Sequence, residues 1–482
     1  MKHLLFILFI NFTIQQLNAQ TTIDAVLEGY KADKDLQHAQ YSFCIMDAST
    51  SKIVKEYNSE LSLIPASTLK IVTTSAALGI LGKDFTYKTN YNLLYNSTSV
   101  DKTTETQLFI EGSGDPTFNS SYFYSNDSLF LIPLVNKLQL KKIKNISSIY
   151  ISTAYFDNTI PSTWIWGDIG NYFGAGANGL SYKDNKFSLF YESGALNTKA
   201  RLDYISPLYF SDKIKIESEV ISRGTEDDAF VFGDPNSFTR KVTGSIPPNK
   251  KQYEVEAQMP EPPLFFEYEL KKELTKYHLT SNEKTKPTKI KETDTTFKSQ
   301  LIYTHISPKL DKIVFYTNTK SNNHYAESLL KTVGAVKSKK QGTTENGIEA
   351  VKNYWQARGI DISGLHMADG SGLSRANTIT TKIQATILSK IFRDTVMYNS
   401  FNASLPVAGK NGSMTNLCKG TFAENNMRAK TGYINRARGY CGYVKTKSGK
   451  ELSFSVLFNN YDCSPKEMKL KIEKLLIALV DL

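Results

Sequence analysis

Pro65-Ala66-Ser67-Thr68-Leu69-Lys70 leads into an apolar stretch that continues to Leu81 and stops at Gly82. Leu69, Val72, Ala76, Ala77 and Ile80 give Thr68 to Leu81 the composition of a helix. Ser67 and Lys70 stand three residues apart, so they share one face of that helix. A serine hydroxyl is a poor nucleophile until a base takes its proton. A lysine can be that base when burial or a second cation lowers its pKa. The free N–H groups at a helix start also favour negative charge there. One Ser-x-x-Lys says little by itself, since the pattern recurs at Ser49, Ser99 and Ser281. Its ordinary reading is a solvated helix face.

Further along the chain stand Ser321-Asn322-Asn323 and Lys430-Thr431-Gly432. Ser-x-Asn also occurs at Ser400-Phe401-Asn402, whereas Lys-Thr-Gly occurs once. Taken in this order, the three strings match the Ser-x-x-Lys, Ser-x-Asn and Lys-Thr-Gly set of penicillin-recognising serine acyltransferases. More strings accompany them: Gly114-Asp115-Pro116-Thr117, Trp164-Ile165-Trp166-Gly167-Asp168 and His305-Ile306-Ser307-Pro308. Asp369-Gly370-Ser371-Gly372-Leu373-Ser374-Arg375 and Leu405-Pro406-Val407-Ala408-Gly409 precede Lys430. The chain thereby resembles the class C low-molecular-mass penicillin-binding proteins of the penicillin-binding protein 4 type. These form the D-alanyl-D-alanine carboxypeptidase/endopeptidase family. The resemblance is densest in residues 61–83, 303–330, 365–378 and 403–443.

The resemblance implies a mechanism. Ser67 would attack the D-Ala-D-Ala carbonyl and become acylated, with Lys70 as the nearest base. Ser321 would pass a proton to the leaving amine. Lys430 would help keep Lys70 neutral and attract the terminal carboxylate. Asn323 would hold the substrate amide, and Thr431 would bond the carboxylate. The oxyanion would lie between the backbone N–H groups of Ser67 and of Tyr433, which follows Gly432. Tyr433 departs from the family, which usually has Thr or Ser there. The N–H survives this change and a small hydroxyl contact does not. Asp168 and Arg375 match positions that hold a diaminopimelate side chain in some members. A structural or surface ion pair is the competing reading of these two.

The implied fold is α/β (α+β): an antiparallel sheet flanked by helices, with β-rich inserted domains. The expected division is a leader at 1–19, an acyltransferase domain at 20–83 plus 300–482, and a β-rich insert at 84–299 in two subdomains. The residues suit this division. Residues 84–299 carry short β-rich runs, such as Gln107 to Ile110 and Ile149 to Ile151, broken by turn residues. A helix is expected at Leu264 to Tyr277 and a polar, Lys-rich connection at Thr280 to Thr296. Strands are expected at Tyr41 to Met46 and Ile53 to Tyr57, and helices at Ile23 to Tyr30, Tyr325 to Val333 and Gly347 to Arg358. Tyr440 to Lys445 and Leu452 to Phe458 read as a hairpin turning at Ser448-Gly449. Ser464-Pro465-Lys466-Glu467 is a capping box that opens a closing helix.

Composition bounds the rest. The 482 residues are 40% hydrophobic and 12% aromatic, enough for a packed core and against wholesale disorder. The charge of +11 comes from 58 basic against 47 acidic residues spread along the chain, so no nucleic-acid partner is expected. Four Cys make no disulfide framework. Six His, without HExxH or paired CxxC, call for no metal, and no cofactor is expected. Met1-Lys2-His3, the apolar Leu4 to Ile14 and Leu17-Asn18-Ala19 read as a signal peptide cut after Ala19. No later run is long enough to span a membrane. The mature protein is therefore expected in the periplasm or secreted. Its expected partners are peptidoglycan stem peptides ending in D-Ala-D-Ala, and β-lactam antibiotics.

Two other readings remain open. One is a β-lactamase or esterase on the same fold. The nearest approach to a Glu-x-x-Leu-Asn deacylation motif, Glu192 to Asn197, is one residue too long. The other is a binding or sensor protein that keeps the fold without turnover.

Overall fold

The computed structural model describes residues 22–96, 106–125, 127–279 and 297–482. The expected leader and the whole polar connection at Thr280 to Thr296 lie outside the described residues. A five-stranded antiparallel sheet joins the two ends of the chain. Its order is Arg428–Ile434, Ala437–Lys445, Glu451–Asn459, Gln40–Asp47 and Ile53–Tyr57. The first long strand pairs with the last, from Gln40↔Asn459 to Asp47↔Leu452. Its central strands are buried along nearly their whole length rather than on alternate residues. Such continuous burial needs cover on both faces. On one face, Ile23–Ala32 and Pro465–Ala478 contribute Val26, Tyr30, Met468 and Ile472 to a core with Phe43, Val456 and Phe458. On the other, Lys70–Leu81 and Thr381–Phe392 contribute Val72, Ile383 and Ile387 to a core with Cys441 and Leu457. This mixture of helices with antiparallel sheet is the fold class expected.

Residues between the two halves of this sheet build three more sheets. One runs Phe297–Ile306, Lys88–Asn96, Thr106–Glu111, Ile146–Ser152, and its last pair is parallel. The strand Phe297–Ile306 crosses the expected boundary at 299/300 and pairs with Lys88–Asn96, which falls in the expected insert. Tyr253–Gln258, Lys186–Glu192 and Arg201–Ser206 form a second sheet. Lys215–Ser218, Ile221–Ser222, Asp228–Phe232 and Thr239–Ile246 form a third. All three share one apolar core, which the helix Pro262–Lys276 completes with Phe265, Phe266, Leu270 and Leu274.

Some helices were not foreseen. Asp127–Leu140 lies in the region read as short strands, and Pro133 inside it masks the helical pattern. Leu131, Leu134, Val135 and Leu138 nevertheless reach the core at helical spacing. Leu310–Thr319 and Thr395–Ser404 are also helices. Cys44, Cys418 and Cys441 are buried free thiols, and Cys463 is free as well. Among the described residues, no helix is long and apolar enough to cross a membrane.

Candidate active site

Ser67 sits on a single 3-10 turn, Ala66–Leu69, that feeds the helix Lys70–Leu81. Ala66 before it has φ +47°, a left-handed conformation uncommon outside glycine. Two glycines from distant motifs press on this turn. A Cβ on Gly372, itself at φ +82°, would lie 1.9 Å from the Ala66 carbonyl oxygen. A Cβ on Gly432 would lie 2.5 Å from the Pro65 oxygen and 3.1 Å from the Ser67 nitrogen. Only a residue without a side chain permits such an approach.

Lys70 lies beneath Ser67 and is fully buried. Its Nζ donates to Ser67 Oγ at 2.9 Å, to Asn323 Oδ1 at 2.6 Å and to the Ser371 carbonyl at 2.7 Å. Burial lowers its pKa to about 7, although Asp369 and Glu327 pull the other way. Lys430 is equally buried on the strand Arg428–Ile434. Its Nζ donates to Ser321 Oγ at 2.9 Å and to the Thr431 carbonyl at 2.8 Å. Desolvation, then the nearby Lys70, push its pKa well down. Two lysines thus face two serines, each with a strong bias toward the neutral amine.

Ser321 occupies the corner between helices Leu310–Thr319 and Asn323–Ser338, at φ +56°. Asn322 caps the second helix by accepting from the Tyr325 N–H. This places Asn323 in the first turn, where its Nδ2 donates to the Phe173 carbonyl at 2.8 Å. The adjacent His324 Nδ1 lies 3.1 Å from the Gly176 carbonyl. The segment around Phe173 therefore fastens the insert to the site. Thr431 Oγ1 donates to Ser413 Oγ at 2.7 Å.

A cleft of about 880 Å³ opens over these groups. Ser67, Ser321, Asn323, Gly372 and Tyr433 line one part, and Asp168, Tyr172, Phe230 and Arg375 line another. Arg375 Nη1 donates to Asp168 Oδ2 at 2.9 Å. Tyr433 is half exposed, and the Arg438 guanidinium lies 5.4 Å from its ring centre. Asp115, of the Gly-Asp-Pro string, is not in this cleft. It is buried in its own turn, accepting from the Thr117 N–H and hydroxyl. Among the described residues, no group of three or more His, Cys, Asp or Glu is placed to hold a metal ion.

Two buried carboxylates went unassigned in the sequence reading. Asp369 accepts from Gly372 N, Ser374 N, Asn377 Nδ2 and Trp164 Nε1. It so folds the loop that carries Gly372 and ties Trp164 of the insert to it. Glu327 accepts from Gly370 N at 3.0 Å and is buried in the helix Asn323–Ser338. A charged residue between Ala326 and the pair Leu329-Leu330 was the available signal for Glu327.

Comparison with known proteins identifies the family. The family model described as the D-Ala-D-Ala carboxypeptidase 3 (S13) family matches residues 23–479. A D-alanyl-D-alanine carboxypeptidase of Actinomadura sp. (strain R39) is 25% identical over 460 residues, covering 91% of this chain and 80% of that protein. The D-alanyl-D-alanine carboxypeptidase DacB of Haemophilus influenzae is 24% identical over 441 residues, covering 89% and 87%. The crystal structure of penicillin binding protein 4 (dacB) from Haemophilus influenzae superposes with a TM-score of 0.77 at 21% identity. It covers 95% of this chain and 99% of that one. The chain belongs to the D-Ala-D-Ala carboxypeptidase 3 (S13) family and is a serine-type D-alanyl-D-alanine carboxypeptidase.

Proposed function

We propose that Ser67 is the nucleophile of this carboxypeptidase and Lys70 its base, and that the enzyme also cuts peptidoglycan cross-links as a DD-endopeptidase. The observation that carries the first part is the 2.9 Å hydrogen bond from a fully buried Lys70 to Ser67 Oγ. A lysine whose pKa is brought down to about 7 is half neutral at working pH, which suits a general base.

The steps follow from that arrangement. The Ser67 hydroxyl passes its proton to neutral Lys70 as Oγ bonds to the carbonyl carbon of the D-Ala-D-Ala peptide. Negative charge collects on the former carbonyl oxygen, which the N–H groups of Ser67 and Tyr433 receive. The tetrahedral adduct collapses when the C–N bond breaks and the leaving amine takes, through Ser321, the proton that Lys70 had received, which leaves Lys70 neutral again. Lys430 Nζ and Thr431 Oγ1 donate hydrogen bonds to the substrate's terminal carboxylate, and Asn323 holds its amide. Water, deprotonated by the same base, then cleaves the ester and restores Ser67.

A cleft of about 880 Å³ exceeds what a terminal dipeptide fills, which supports access for a branched, cross-linked peptide. The same nucleophile would open a β-lactam ring and remain acylated. The leader pattern supports action in the periplasm or outside the cell.

The test compares the mature chain with Ser67→Ala, each incubated with a fluorescent penicillin, denatured and run on a gel. Label on wild type alone is expected. Dimeric, cross-linked muropeptides should then be split by wild type and spared by the variant. Hydrolysis of the drug without lasting label would favour a β-lactamase. Binding without cleavage or label would favour a sensor.

A further inference from the structure

The loop Asp369 to Gly372 is clamped between two helices. From Lys70–Leu81, Thr73 Oγ1 donates to the Gly370 carbonyl at 2.7 Å. From Asn323–Ser338, both Glu327 carboxylate oxygens stand within hydrogen-bonding reach of Gly370 N, at 3.0 and 3.1 Å. A Cβ on Gly370 would lie 2.9 Å from Leu330 Cβ and 3.0 Å from the Ala326 oxygen, so glycine alone fits the clamp. One residue on, the Ser371 carbonyl accepts from Lys70 Nζ at 2.7 Å. Glu327 thus reaches the base through a short, fully buried relay: Gly370 N–H, the Gly370–Ser371 backbone, the Ser371 carbonyl, Lys70.

We propose that Glu327 is a positioning residue for acyl transfer, holding the Ser371 carbonyl against Lys70 and setting by its charge the pH at which Lys70 becomes a base. The inference rests on the reading of Ser67 and Lys70 given above.

The charges around Glu327 make it the adjustable partner. Asp369, in the same loop, already accepts four hydrogen bonds. Glu327 has the Gly370 N–H and the Ser371 hydroxyl, and burial followed by repulsion from Asp369 pushes its carboxyl up to about 7. Lys331, on its own helix, pulls the carboxyl down as the smallest of these influences, while its Nζ donates to Asp157 at 2.5 Å and to the Thr159 carbonyl at 2.7 Å. Lys70 faces it from the neighbouring helix, and Lys430, on the sheet, is itself pushed down by Lys70. An ionised Glu327 favours the ammonium form of Lys70. Because the base must be neutral, removing that charge moves the acid limb of the reaction to lower pH.

The experiment is the second-order rate of acylation by a fluorescent penicillin between pH 5.5 and 8.5. Wild type, Glu327→Gln and Glu327→Asp are compared, with thermal melts to establish folding. For Glu327→Gln the acid limb is expected about half a pH unit lower, so the rate at pH 6 relative to pH 8 rises about threefold. Glu327→Asp keeps the charge and should keep the limb while lowering the plateau. A merely structural role would lower the plateau without moving the limb, and a coincident limb in Glu327→Gln overturns the proposal. Should that variant fail to fold, Ser371→Ala replaces it, because it spares the carbonyl and removes a donor that favours ionised Glu327. A downward limb is then expected, and an unmoved one overturns the proposal. If wild type takes no label, the Ser67 reading falls and this one with it. A labelled wild type whose limb the variants leave in place overturns this one alone.

Discussion

Arg375 Nη1 stands 2.9 Å from Asp168 Oδ2, inside the cleft that holds Ser67. The two come from opposite ends of the chain's organisation. Asp168 lies in a short helix of the insert, Trp166–Ile169, and Arg375 follows the clamped loop. A partly exposed pair of this kind adds only about 0–1 kcal/mol to stability. We propose that the pair receives a zwitterionic substrate side chain, whose ammonium would meet Asp168 and whose carboxylate would meet Arg375.

Asp168→Asn should therefore stay folded and raise KM about tenfold for a stem peptide with a free diamino side chain, leaving kcat nearly unchanged. Acetylating the side-chain amine should remove the difference between the two proteins. Steady-state release of D-Ala measures both. Equal KM values on the free-amine peptide would make the pair structural.

Lys70 links function to stability with a definite sign. Its folded pKa of about 7 lies below the unfolded value near 10.4. Between those values the unfolded chain binds the extra proton, so this group makes stability rise with pH. Below pH 7 both states are protonated and the group gives no slope. Relative to Lys70→Met, wild type should gain stability from pH 7 to pH 9, at up to about 1.4 kcal/mol per pH unit. Chemical denaturation of both proteins across that range is the check. Parallel curves would mean that Lys70 is not depressed in the fold.

Gly432 offers a test of how tightly the nucleophile is held. A methyl there would meet the Pro65 carbonyl oxygen at 2.5 Å and the Thr68 nitrogen at 3.0 Å. The strand Arg428–Ile434 or the Ser67 turn must give way, which costs about 1–3 kcal/mol in a packed site. Gly432→Ala should melt a few degrees lower. It should lose acylation about a hundredfold, because a displacement near 1 Å spoils the attack geometry. Stopped-flow acylation by a reporter penicillin gives the rate. An unchanged rate would show that the turn tolerates the shift.

Much of this arrangement was legible from local spacing. Ser67 and Lys70 lie in one helical turn, so a separation of three residues already implies contact. The closing helix announced itself through Ser464 and Glu467, whose reciprocal cap is present. The hairpin of Ala437–Lys445 and Glu451–Asn459 was equally local. What stayed hidden depends on distant chain segments meeting. Glu327 gains meaning only when Gly370, more than forty residues away, folds onto it. The Phe173 carbonyl that holds Asn323 is a backbone atom and leaves no mark on composition. The pairing of Phe297–Ile306 with Lys88–Asn96 is likewise between distant segments and leaves no local mark.

Trp164 and Asp369 carry the last prediction, on how the insert is joined to the site. Trp164 Nε1 donates to Asp369 Oδ2 at 2.9 Å, and both side chains are buried. Trp164→Phe removes one donor and keeps most of the ring's packing. Asp369 Oδ2 still accepts from Ser374 N at 2.6 Å, so the loss should be about 1–2 kcal/mol, with acylation nearly intact. Asp369→Ala strips the acceptor from Gly372 N, Ser374 N and Trp164 Nε1 together, and leaves Asn377 Nδ2 with the Ser374 carbonyl alone. Buried donors left without acceptors cost about 1–3 kcal/mol each, so this variant should lose several kcal/mol and its acylation with them. Thermal melts and reporter-penicillin labelling of the two variants separate these effects. If Asp369→Ala melted no lower than Trp164→Phe, the loop would owe its shape to Glu327 and Thr73 rather than to Asp369.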